Sequence, residues 1–342
     1  MFTRKLCQNT NLENRTHTVK TIHKSIIGKG KLENEDSFLV REKDGIFMVA
    51  DGMSGWNGKK ASDTAINTIS NSLEEKRACR LDNDNMSTTL KKLLKEADRE
   101  VTALKGRSGT TIDICIVRDN ALHLAHIGDS RVYLLYKNLY FEQITNDMAR
   151  PQFTYHGRAP QNEIERKILS LTNSYMPSHW IGDHNSKHDK VFQFERISLL
   201  EVKRIVMTTD GLTDLTIDDE IREALIIENL QDASDKLVSH IEYPNKISET
   251  FITHLEFFIE NHLKERSILS MLDPIFDQFC NNVNMRKMRD HYTNSTIADD
   301  GYGAFILGYF DKYPDIKEAF LQYLNSVLNF SDDTTFIIIE PN

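Results

Sequence analysis

A chain of 342 residues, 39% hydrophobic and 27% charged, carries enough apolar material for one large domain or two modest ones. Its formal charge of −9, from 51 acidic and 42 basic residues, excludes electrostatic attraction to nucleic acid or anionic lipid, whose phosphates would repel it. Cys7, Cys79, Cys115 and Cys280 form no CxxC pair, which argues against a zinc knuckle or disulfide framework and for reduced thiols. Met1–Thr10 lacks the apolar core of a signal peptide. No apolar run approaches the ~20 residues that span a bilayer. The expectation is a soluble, cytoplasmic protein with no membrane or nucleic-acid partner.

In chain order, residues 18–27, 36–40 and 46–50 are rich in β-branched and aromatic side chains and read as strands. A helix is predicted over 57–76, where Ala61, Ala65, Ile69 and Leu73 recur every four residues. A second is predicted over 87–105, with Leu90, Leu93, Leu94, Ala97, Val101 and Leu104 as its stripe. Four strands follow at 110–117, 121–127, 131–136 and 139–144. Their tight connections predict an antiparallel meander. Residues 145–190 read as a long polar loop, and long loops in compact domains are often functional. Strands return at 191–195 and 204–209. A mostly helical stretch then runs to Phe330, before a closing strand at 335–339. Because that strand completes the sheet, residues 245–330 are expected to be a helical insertion within a single domain spanning 1–342.

Five aspartates stand beside apolar strands, most of them next to small residues. Asp36 lies in Asn34-Glu35-Asp36-Ser37, and Asp51 begins Asp51-Gly52-Met53-Ser54-Gly55. Asp129 lies in Gly128-Asp129-Ser130-Arg131, Asp210 in Asp210-Gly211-Leu212-Thr213-Asp214, and Asp332 in Ser331-Asp332-Asp333-Thr334-Thr335. Any one of these could be turn chemistry, in which aspartate bonds its own backbone and glycine supplies positive φ. Five along one sheet rim would repel one another, and divalent cations relieve that most simply. Hard oxygen donors suit magnesium or manganese rather than zinc.

These segments, together with Ser108-Gly109-Thr110-Thr111, resemble in content and order the signatures of the PPM-type (type 2C) metal-dependent protein phosphatases. The resemblance implies an α+β fold: a four-layer α-β-β-α sandwich of two antiparallel sheets flanked by helices. It further implies hydrolysis of phosphoserine and phosphothreonine in phosphoproteins, by direct attack of a water bridging two Mn²⁺ or Mg²⁺ ions. Asp51 would bridge the ions and the Gly52 carbonyl would add a ligand. Asp36, Asp210 and Asp332 would complete the pair directly or through water, with Glu35 behind them. Asp129 and Asp214, with Asp210, match a third, weaker site.

The chain departs from the family pattern at two places, Lys31 and Asp333. Lys31 stands where relatives carry an arginine that grips the substrate phosphate, and lysine keeps the charge without the bidentate fork. Asp333 replaces a common asparagine, and a supporting role beside Asp332 is expected. Met53 stands where animal members have a histidine, and bacterial members often have methionine there too. His179, His184 and His188 lack a further ligand at helical spacing and read as solvated loop rather than zinc site. Arg150, His156 and Arg158 are candidates to meet a phosphoprotein in the long loop. The apolar faces of 245–330, such as Leu255, Phe258 and Phe279, suit either core packing or docking of a protein partner. A catalytically silent binding module with the same fold and a hydrolase of small phosphoesters are the competing readings. The complete aspartate set weighs against the first, and the lack of a nucleotide-cradling motif against the second.

Overall fold

The computed structural model describes residues 19–28, 31–53, 57–77, 85–151, 175–183, 191–214, 216–242 and 332–341. Twelve strands are named along them: β1 (Lys20–Ile26), β2 (Ser37–Arg41), β3 (Ile46–Ala50), β4 (Ile112–Arg118), β5 (Ala121–Ile127), β6 (Arg131–Tyr136), β7 (Phe141–Gln143), β8 (Ala149–Pro151), β9 (Tyr175–Pro177), β10 (Gln193–Ser198), β11 (Val202–Thr208) and β12 (Thr334–Glu340). The α-helices are α1 (Gly58–Arg77), α2 (Met86–Thr102), α3 (Asp210–Thr213), α4 (Asp218–Ile226) and α5 (Leu230–Glu242).

Two five-stranded sheets form, in the orders β1-β12-β11-β6-β7 and β10-β5-β4-β3-β2, with antiparallel pairing throughout. Side chains alternate across a strand, and β3 shows what that does here. Phe47 and Val49 point between the sheets, where they meet Ile205, Met207, Ile337 and Ile339. Ile46, Met48 and Ala50 point outward into a cluster with Ala61, Ala65, Ile69 and Leu73 of α1 and Leu90, Leu94 and Ala97 of α2. On the far side, Val206, Phe336 and Ile338 pack on Ile221, Leu225, Ala233 and Leu237 of α4 and α5. Helix, sheet, sheet and helix layers result, as the resemblance implies. Strands covered on both faces need near-continuous apolar runs, and all five residues of β3 are buried.

The helix stripes hold, although Leu104 falls beyond the end of α2. The predicted meander does not form. Strands β4 and β5 are joined through Asp119 and Asn120, both at positive φ, as a two-residue hairpin turn that twists with its strands requires. After β5, however, the Gly128–Ser130 turn carries the chain across the sandwich, so β6 and β7 belong to the other sheet. Within the stretch read as loop, β8 and β9 pair into a two-stranded ribbon. Residues 245–330 lie outside the described residues. Among the described residues, no helix is long and apolar enough to cross a membrane.

Candidate active site

The strand registers bring the aspartates together. Ser37 pairs with Ala50, so one step further Asp36 faces Asp51 across β2 and β3. In the other sheet Thr208 pairs with Arg131, so two steps further Asp210 faces Asp129. Thr208 also pairs with Phe336 of the neighbouring β12, which puts Asp332 beyond the same end of that sheet. The site therefore lies at one end of the sandwich, with carboxylates delivered by both sheets.

Close backbone approach shapes it. A Cβ on Gly52 would stand 2.4 Å from the Gly58 carbonyl and 2.5 Å from the Glu35 carbonyl oxygen, and one on Gly58 would strike Gly52 in return. Only paired glycines let the start of α1 press onto the Asp51 turn. Gly211 is equally constrained, because a Cβ there would lie 2.3 Å from the Asp333 carbonyl oxygen. The Asp51 N–H donates to Thr111 Oγ1 at 3.0 Å, and its carbonyl accepts from Thr110 Oγ1 at 2.7 Å and from the Thr111 N–H at 2.9 Å. Thr209 Oγ1 donates to Asp36 Oδ2 at 2.9 Å and accepts the Thr335 N–H at 2.9 Å, linking carboxylate to opposite sheet. These threonines were not singled out as supports, although Thr110-Thr111 stood within a motif.

The electrostatics are those of crowded acids. Burial raises Asp36, Asp51 and Asp210 well above the usual carboxylate range, and the negative charge of neighbouring carboxylates adds to it, while for Asp36 the Thr335 and Thr209 hydrogen bonds oppose it. For Asp51 those neighbours are Asp210, Asp36 and Asp332. For Asp210 they are Asp214, Asp332 and Asp129. The Asp51 and Asp210 side chains stand close enough to act on each other's charge. Asp36 Oδ1 and Asp210 Oδ1 are buried without a hydrogen-bond partner. Oxygens left in this condition next to other carboxylates fit a hard divalent cation, which would supply the missing partner. Among the described residues, no three such side chains already close into a finished metal cage.

Lys31 is drawn onto one of the acids. Its ammonium donates to Asp332 Oδ1, reaches Asp333 Oδ2 at 3.0 Å and lies 3.5 Å from Glu35 Oε2. Burial pulls the lysine pKa down, but Asp332 and Asp333 outweigh that and hold it above the ordinary lysine value. Asp333 is buried and accepts the Gly28 N–H and the Glu35 N–H, each at 2.7 Å. It therefore staples the Lys31 loop to the entrance of β12. Asp129 is buried, and beside it Ser130 Oγ bonds Thr111 Oγ1 at 2.7 Å. The Asp214 N–H donates to the Asp210 carbonyl at 2.7 Å, closing α3.

Three neighbours emerge only in three dimensions. Lys59 donates to the Asp36 carbonyl at 3.2 Å and to Asp63 Oδ1 at 2.9 Å. Its sequence signal was an i, i+4 acid pair on a helix. Trp180 lies against Gly109 and Met53, since a Cβ on Gly109 would stand 2.8 Å from both Met53 Sδ and Trp180 Cδ1. Ile181 pairs with Thr110 through reciprocal backbone bonds of 3.1 and 2.9 Å, so the end of the long loop returns to the site. Of the loop histidines, His179 bonds Ser178. His184, His188, His156 and Arg158 lie outside the described residues, as does the side chain of Arg150.

Comparison with known proteins places these features in context. Residues 12–150 match the family described as Protein phosphatase 2C. The chain is 32% identical over 210 residues to a serine/threonine phosphatase stp of Listeria monocytogenes, covering 58% of this chain and 79% of that protein. It is 34% identical over 131 residues to the stp of Listeria innocua, where the match spans 35% of this chain and about half (51%) of the relative. The serine/threonine phosphatase PstP/Ppp of Mycobacterium tuberculosis superposes with a TM-score of 0.54 at 18% identity, over 95% of this chain and 99% of that one. The catalytic domain of PstP in complex with two manganese ions gives 0.52 at 18% identity, over 94% and 97%. At such identity these structures establish the sandwich fold.

Proposed function

Since the chain belongs to the protein phosphatase 2C family, we propose that it is a metal-dependent hydrolase of phosphoserine and phosphothreonine in protein substrates. The observation that carries this reading is the convergence of Asp36, Asp51, Asp210 and Asp332 from both sheets, with two buried carboxylate oxygens lacking partners. Asp51 would serve two Mn²⁺ or Mg²⁺ ions, joined by the Gly52 carbonyl. Asp36, Asp210 and Asp332 would share the remaining positions. Asp129 and Asp214 stand close enough to Asp210 to act on its charge and would make a third site. Such ions supply an activated water and neutralise charge growing on the phosphoryl oxygens.

The chain's own residues do the positioning. Thr209 and Thr111 orient the Asp36 side chain and the Asp51 backbone, while Glu35 and Asp333 hold the loop carrying Lys31, whose ammonium would meet the substrate phosphate. The long loop, anchored by Ile181 on Thr110, brings Trp180 beside Met53 as one wall. Strand β12 pairs between β1 and β11, so the sheet is completed by residues that follow 245–330 in the chain. That supports reading 245–330 as an insertion, with a protein partner as its use.

The test is phosphate release from a phosphothreonine peptide, with a nucleotide panel beside it. Turnover should require Mn²⁺ or Mg²⁺, stop in excess chelator and be poor on nucleotides. Full activity in chelator would sink the metal-dependent reading.

A further inference from the structure

We infer that Lys31 is a resident counter-cation of the site, exchanged for the divalent ion at Asp332, so that metal binding frees the ammonium to meet substrate. The inference rests on the metal-dependent reading above and adds what this chain's lysine does to it.

The Lys31 ammonium sits among three carboxylates, those of Asp332, Asp333 and Glu35. These partners are not equivalent. Asp333 is buried and already accepts two backbone N–H groups, from Gly28 and Glu35. It keeps its hydrogen bonds if the ammonium leaves. Asp332 is the outer partner, with its side chain 40% exposed, and it alone of the three belongs to the proposed metal ligands. The Asp333 N–H donates to Asp332 Oδ1 at 2.8 Å, leaving this carboxylate one local backbone donor. Lysine and a divalent cation at Asp332 would repel each other, so the two compete for one carboxylate.

The lysine can move without unfolding anything. Its loop is held without the ammonium, by the Gly28 N–H donating to the Asp333 carboxylate and the Lys31 N–H donating to the Gly28 carbonyl at 3.1 Å, so only the flexible four-carbon stem must swing. A freed ammonium at this rim is left facing whatever negative charge the ions have gathered, which in turnover is the phosphate. The exchange thus orders the events, cation first and phosphate second.

The experiment uses the full-length protein and its Lys31→Met and Lys31→Gln variants. Mn²⁺ is titrated by calorimetry without substrate, inorganic phosphate is titrated into the Mn²⁺-loaded forms, and thermal unfolding is followed in chelator. We expect both variants to bind Mn²⁺ at least fivefold more tightly in the weaker step and inorganic phosphate at least fivefold more weakly. Their unfolding temperature in chelator should fall, because Asp332 loses its counter-charge. A variant that merely damages the fold would weaken Mn²⁺ binding instead of strengthening it. Unchanged or weaker Mn²⁺ binding in a folded variant overturns the exchange and leaves the metal-dependent reading standing. Absence of Mn²⁺ binding in every form, the parent included, overturns both.

Discussion

Asp51 stands where several elements converge. Its backbone is bonded by Thr110 and Thr111, the following Gly52 is pressed by Gly58, and its carboxyl meets those of Asp36 and Asp210. If that carboxylate serves two cations, an amide cannot neutralise them, although it fills the same space. Asp51→Asn should therefore lower kcat more than tenfold at saturating Mn²⁺ with unchanged circular dichroism. A variant retaining a tenth of the parent kcat would have lost no more than about 1.4 kcal/mol of barrier, too little for a bridging ligand. Substituting Asp129 instead should cost less, because it acts on the pair through Asp210.

Between elements, a buried polar seam joins β4 and β5 to the start of the long loop. His126 Nδ1 lies 2.5 Å from Asp113 Oδ1, and Nε2 lies 3.0 Å from the Asn146 carbonyl oxygen. A carbonyl only accepts, so Nε2 carries a proton, and the short contact to Asp113 holds a second. Arg131 grips Asp147 next door through Nε at 2.9 Å and Nη2 at 2.6 Å. Burial pulls the His126 pKa down, but Asp113, the Asn146 carbonyl and Asp147 outweigh it, and the folded value is raised. A raised folded value means stability that is fully present below the unfolded pKa, about 6.5 for histidine, and lost as pH rises through the folded one. Burial also raises Asp113, so the ionised carboxylate beside a neutral imidazole is unfavourable, which works in the same direction. Compared by urea unfolding with an Asp113→Asn, His126→Gln double variant, the parent should hold its advantage in mild acid and lose it toward alkaline pH. A stability difference independent of pH would mean that the pair does not titrate in this way.

Across the whole molecule, the last strand binds the ends of the chain together. β12 pairs with β1 along seven residues and with β11 along four, and Phe336, Ile337, Ile338 and Ile339 are fully buried. Arg204, wholly buried on the neighbouring strand, donates to the Leu225 carbonyl at 2.7 Å and the Glu228 carbonyl at 2.5 Å and reaches Glu340 at 3.3 Å. Strand β12 is thereby tied to the end of α4. Burying each large apolar side chain contributes roughly 1.5–3 kcal/mol, so four of them approach the 5–15 kcal/mol that typically separates folded from unfolded protein. A chain ended after residue 331 should therefore express as unfolded or aggregated material, with no cooperative thermal transition. A sharp melt in that truncation would show that the sandwich closes without β12.

What the sequence determined by itself was local or cumulative. The stripe of α1 is legible because four apolar residues at one spacing can face only one way. The Asp119–Asn120 turn is short enough to make its two strands neighbours. The aspartates could be named because each abuts a strand end, and their family order survives any uncertainty about pairing. Only the tertiary structure decided which strands share a sheet. Tight turns made 110–144 look like one meander, yet the Gly128–Ser130 turn crosses the sandwich. Both sheets are covered on two faces, so their strands carry the same apolar signature and no local pattern marks the switch. The partners of Lys31 were hidden for a similar reason: 301 residues separate it from Asp332, and only pairing of β1 with β12 brings them together. Residue chemistry is written along the chain, but charge–charge distances are set by sheet register, which the chain expresses only once it has closed.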